Sequence, residues 1–118
     1  MSIERLHTGA RMSQVVIHNG TVYLAGQVAA NAPGKSVAAQ TQDILAIIDG
    51  LLAEAKSHKS RVLSATIWLT DMATFNEMNQ VWDRWVVPGS TPARATVVST
   101  HLAAPEYKIE IAVIAAQS

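Results

Sequence analysis

Apolar residues recur along this chain with two different periods, and the switches between them divide it into strands and helices. Residues 14–18 (Gln-Val-Val-Ile-His) and 21–25 (Thr-Val-Tyr-Leu-Ala) are short apolar runs separated by Asn19-Gly20. Asn-Gly tolerates the positive φ angles of a tight two-residue turn, so the stretch predicts a hairpin. A short additional strand is expected around Ile3–His7, and Asn31, Pro33, Gly34 and Lys35 mark a loop over 28–35. From Ser36, a good N-cap, the period becomes helical: Ile44, Ile48, Leu51 and Ala55 recur at three- and four-residue steps, flanked by Ile47 and Leu52. Gly50 inside this helix costs up to about 1 kcal/mol relative to alanine unless close packing needs it.

Strict alternation then returns. Leu63, Ala65, Ile67 and Leu69 face one way, and Ser64, Thr66, Trp68 and Thr70 the other. Thr74-Phe75-Asn76-Glu77 reads as a capping box opening a second helix, with Phe75, Met78, Trp82 and Trp85 as its apolar stripe and Pro88-Gly89-Ser90 as its stop. Two last strands are expected at Ala93–Ser99 and Tyr107–Ala115. The order β-β-α-β-α-β-β over residues 1–118, without linker or repeat, predicts a single α+β domain with two helices on one face of a sheet.

The last strand is apolar on both sides. Tyr107, Ile109, Ile111 and Val113 share one face, whereas Ala112 and Ile114, joined by Trp68 and Val98, make the other apolar as well. Two helices cover one side only, so the second is expected to be buried between copies in a closed homo-oligomer.

Composition narrows the function. Charged residues make up 15% of 118, and nine basic residues balance nine acidic ones without clustering, which gives no footprint for nucleic acid or an anionic membrane. With no cysteine, a disulfide framework, a thiolate zinc site and a cysteine nucleophile are excluded. The first residues lack a secretory apolar run and no stretch is long and apolar enough to span a bilayer, so a soluble, cytoplasmic protein is expected. Asn19-Gly20-Thr21, an N-glycosylation pattern, is accordingly read as a turn.

Common catalytic motifs are missing. Pro33-Gly34-Lys35-Ser36 resembles the end of a phosphate-binding loop, but Ala29 stands where the earlier glycine is needed. His7, His18, His58 and His101 have no metal-ligand spacing. Trp82 and Trp85 lie on the helix stripe and so read as packing residues rather than a base-stacking platform. What remains is a pair of charges. Alternation puts Arg94, Thr96 and Val98 on one face of their strand, and Lys108, Glu110, Ala112 and Ile114 on one face of the next, near the expected interface. A guanidinium offers two parallel donors to a carboxylate, and a nearby carboxylate can orient or deprotonate water. The same two residues can also simply pair with each other or with other side chains.

Pro92-Ala93-Arg94-Ala95-Thr96-Val97-Val98, followed by Lys108-Ile109-Glu110-Ile111, resembles the signature of the YjgF/RidA family of imine/enamine deaminases, many of them labelled L-PSP endoribonucleases. Leu24-Ala25-Gly26-Gln27 and the segment Asp71–Asn79 extend the resemblance over nearly the whole chain. Arg11-Met12-Ser13-Gln14 and Met78-Asn79-Gln80-Val81-Trp82-Asp83 are most similar to its shorter, YoaB-like branch.

The resemblance implies a chorismate-mutase-like fold assembled as a homotrimeric barrel with clefts between subunits. It implies hydrolysis of imines derived from 2-aminoacrylate-like enamines to a 2-oxo acid and ammonia, without metal or cofactor. Arg94 matches the family's carboxylate-gripping arginine and Glu110 its water-positioning glutamate; Met12, Ala25, Gly26 and Thr96 match positions lining the cleft. The deaminase branch commonly carries tyrosine where this chain has Met12, serine where it has Ala25, and cysteine where it has Thr96, and its loop between the two charged residues is one residue shorter. The charged pair is thus kept while the polar lining is altered, which makes a non-catalytic trimer binding a 2-oxo acid or amino-acid-like molecule the alternative. Ribonuclease activity is the third reading, opposed by the neutral, dispersed charge.

Overall fold

The structure is a computed structural model that describes residues 2–118. Its strands are β1 (Glu4–Thr8), β2 (Ser13–His18), β3 (Thr21–Leu24), β4 (Gln27–Val28), β5 (Val62–Leu69), β6 (Ala93–Val98) and β7 (Ile109–Ala116); its helices are α1 (Val37–Glu54) and α2 (Phe75–Trp85). They form one mixed sheet in the order β1-β2-β3-β7-β5-β6, with β4 also paired to β7. Only β5 and β6 run parallel, joined by the α2 crossover. Among the described residues no helix is long and apolar enough to cross a membrane.

The hairpin turn is as expected: Asn19 and Gly20 both have positive φ, 53° and 76°. Ser36 caps α1, its Oγ accepting from the Ala39 N–H at 3.1 Å. The capping box does not form. A 3-10 turn at Met72–Thr74 leads straight into α2, leaving Thr74 at φ −90° and ψ 5° rather than in the extended conformation a cap requires. Thr74 Oγ1 instead donates to the Asp71 carbonyl, and Glu77 reaches the other helix, accepting the Ala38 N–H of α1 at 2.8 Å.

Ile44, Ile48 and Leu52 of α1 and Met78, Val81 and Trp82 of α2 bury one face of the sheet, against Ile67, Leu69, Ile109, Ile111 and Val113. Two local irregularities reset the alternation. A bulge between Val62 and Ser64 turns Leu63 outward, 53% exposed, so it does not join Ala65, Ile67 and Leu69 on the core side. The last strand begins at Ile109, not Tyr107: the Tyr107 N–H closes a turn on the Ala104 carbonyl, and the Lys108 N–H goes to the buried Gln40 side chain.

Opposite the helices, Tyr23, Trp68, Val97, Ala112 and Ile114 form the second apolar face; Tyr23 pairs with Ile114 and Trp68 with Val97. The expected Val98 is not among them. It pairs with Leu69 and lies on the helix side, and its neighbour Val97, 42% exposed, takes its place.

Candidate functional site: two half-sites on opposite faces

Arg94 lies at the start of edge strand β6, paired with the core residue Ala65, so its side chain leaves on the helix side. There α2 holds it. Nη1 donates to Asn79 Oδ1 at 2.7 Å, and the guanidinium carbon lies 5.7 Å from the Phe75 ring centroid and 5.4 Å from that of Trp82. Ring faces attract a cation, so the group is oriented before any ligand arrives, and most of its N–H donors remain unspent. Thr96, two residues on, shares this face; its Oγ1 is shielded from solvent and has no hydrogen-bond partner among the described residues. Asn79 escaped the sequence reading. The signal was present: it follows Phe75 by four residues and precedes Trp82 by three, so it belongs to the same helical ridge.

Glu110 lies on the other face, in the cross-strand row Val28–Glu110–Trp68–Val97. Its carboxylate rests on Gly26. A Cβ at residue 26 would meet Glu110 Cδ at 3.0 Å and Oε2 closer still, so any side chain here would displace the flexible end of Glu110 from its present seat. The approach arises from a bulge. Tyr23 pairs with Ile114 and Gln27 with Ile111, so the Ala25–Gly26 link carries one residue more than the β7 segment opposite. Ala25 is tied back to β2 through its N–H and the Gln14 carbonyl at 2.9 Å, and Met12 is exposed in the turn just before that strand.

The structure therefore groups Arg94 with Thr96 and Asn79, and Glu110 with Gly26 and Ala25. It does not bring the groups together. The strands of Arg94 and Glu110 are not neighbours, because β5 runs between them; two strand spacings set the strands roughly 10 Å apart. The two residues are further offset by three positions along β5, Ala65 against Trp68, on opposite faces. They make no ion pair with each other; among the described residues the only contact between a basic and an acidic side chain within 4 Å is the His7 Nε2–Glu54 Oε2 hydrogen bond at 2.7 Å.

A mixed sheet backed by two helices, with an arginine pinned at one edge and a glutamate over a glycine on the far face, invites comparison with known proteins. The family model described as Endoribonuclease L-PSP matches residues 2–117. A RutC family protein of Haemophilus influenzae is 45% identical over 115 residues, covering 98% of both chains. The RutC family protein YoaB of Escherichia coli is 46% identical over 116 residues, covering 98% of this chain and 99% of that one. The crystal structure of NMB1025, a YjgF family member from Neisseria meningitidis, superposes with a TM-score of 0.95 at 47% identity, covering 100% of this chain and 97% of that one. The fold is the α+β, chorismate-mutase-like one. The chain belongs to the YjgF/RutC family of L-PSP endoribonuclease-type proteins.

Proposed function

We propose that this protein hydrolyses small carboxylated imines, formed from amino-acid-derived enamines, to a 2-oxo acid and ammonia in clefts shared between copies of the chain. The observation that supports this reading most strongly is the separation of Arg94 and Glu110 just described. Each half-site is built and neither is complete, while the apolar face carrying Glu110 awaits a cover. A homotrimer supplies that cover and sets the Arg94 edge of one copy beside the Glu110 face of the next.

In such a cleft Arg94 holds the substrate carboxylate through paired N–H donors. Glu110 accepts a proton from a water that attacks the imine carbon, the C=N π electrons passing to nitrogen. The resulting carbinolamine collapses to the C=O of the 2-oxo acid as the C–N bond breaks, and the nitrogen, having taken up the water's protons, leaves as ammonia. Imines hydrolyse in water unaided, so fixing one acid and aiming one water are adequate tasks for so small a site. An RNA substrate fits less well, because the nine Lys and Arg residues are balanced and scattered.

The test is ammonia release from imines generated in place from several amino acids, with wild type and Arg94→Ala compared. Release by wild type that the variant loses is expected; no release with any imine would overturn the reaction. In that event, calorimetric binding of a 2-oxo acid abolished by Arg94→Ala would make the same cleft a binding site.

A further inference from the structure

We infer that the groove between the C-terminal half of α1 and the β1–β2 edge is a second ligand site, one that takes small primary ammonium compounds with a short branched apolar body. It is separate from the Arg94 and Glu110 half-sites. The groove has a volume of about 370 Å³ and is walled by Ala46, Ile47 and Leu51, with Gly50 between them and with Glu54 and His7 at one end. Gln14 and Gln27 line it as well.

Gly50 is the first argument. Glycine inside a helix destabilises it, and the usual compensation is close packing. Here, its own stretch of helix backbone aside, nothing among the described residues lies within 4 Å of the place its Cβ would occupy. The missing side chain serves no contact within the chain, and what it leaves is open space on the groove wall. His7 is the second. Its φ of 54° is a left-handed conformation that a non-glycine residue adopts at a cost, yet it lies within a strand, where its imidazole meets Glu54. Strain and a packing gap thus converge on one groove.

Its polar groups decide the ligand. Both hydrogens of Gln27 Nε2 are used, on Gln14 Oε1 at 2.8 Å and the Ala25 carbonyl at 2.9 Å, which leaves Gln27 Oε1 as an acceptor without a partner among the described residues. Glu54 gives one carboxylate oxygen to His7 and keeps the other. Among the described residues no lysine or arginine lines the groove, and Glu54 is its one carboxylate. An ammonium finds carboxylate and carboxamide acceptors beside an aliphatic wall; an anion of the same shape finds repulsion. The preference is opposite to that of Arg94.

The experiment titrates the full-length, assembled protein with isopentylammonium and with isovalerate, a matched cation and anion, following backbone and side-chain amide NMR signals. Expected are saturable shifts of Gly50, Gln14 and Gln27 with the ammonium alone, weakened about tenfold by Glu54→Gln and abolished by Gly50→Leu, whose side chain fills the groove while suiting the helix. Circular dichroism and sedimentation check that both variants keep fold and assembly. Absence of shifts, equal shifts with isovalerate, or binding that survives Gly50→Leu would overturn the assignment.

Discussion

Arg94 and Glu110 point from opposite faces of the same sheet, with β5 running between their strands. A single copy therefore offers a guanidinium held at one sheet edge and a carboxylate over a glycine on the far face. Neither is assembled around the other. The chemistry proposed for the pair depends on how copies meet, so assembly and function share their tests.

Arg94→Ala should weaken 2-oxo acid binding by about ten- to a hundred-fold, as loss of a charge-assisted pair of hydrogen bonds would. Lysine should restore only part, lacking the planar fork. Calorimetry on each variant checks both statements.

Asn79 acts on Arg94 by positioning it. Asn79→Ala should raise KM several-fold with a smaller change in kcat, because the rings of Phe75 and Trp82 still hold the guanidinium. Asn79→Asp should not rescue binding. A carboxylate 2.7 Å from Nη1 would compete with the substrate acid for the same cation.

The two glycines should respond in opposite ways. Gly50→Ala, with open space around the new methyl, should raise stability by up to about 1 kcal/mol in urea unfolding. Gly26→Ala should leave the fold intact but push the flexible Glu110 carboxylate aside, lowering turnover far more than stability.

Glu77 binds the two helices together through the Ala38 N–H. Glu77→Ala removes a cap from α1, not from its own helix, and should cost about 1 kcal/mol. A Ser36→Ala, Glu77→Ala double variant should destabilise by less or more than the sum of the singles, since both side chains serve the same α1 terminus.

Trp68→Lys places a charge in the centre of the second apolar face and should shift the sedimenting species toward monomer. Val97→Lys, its cross-strand neighbour, should do the same, while Val98→Lys, on the helix side, should not disturb assembly through that face.

Most of the architecture was legible because burial here follows simple periods: the Asn19-Gly20 turn, the Ser36 cap and the Met78–Trp82–Trp85 stripe all stand where the pattern put them. The errors lie where one residue interrupts a period or a bond reaches across the chain. The Leu63 bulge leaves no mark in an otherwise regular alternation. The Gln27–Val28 strand depends on pairing with β7, more than eighty residues away, and reads locally as loop. Val98 departs from the Trp68 face because the parallel register of β5 and β6 is set by the α2 crossover, which alternation within either strand does not reveal. Arg94 and Glu110 were found as residues; that a strand separates them is a fact of sheet order alone.

The proposed cleft takes Arg94 from one copy and Glu110 from another, and mixing two inactive variants decides whether it exists. Arg94→Ala and Glu110→Gln proteins, each unable to release ammonia alone, are unfolded together, refolded as mixed oligomers and assayed. Random association leaves about a quarter of the clefts with both native residues, so roughly that share of wild-type activity should return. If no activity returns although sedimentation and mass analysis confirm mixed assemblies, the two residues do not serve a shared cleft.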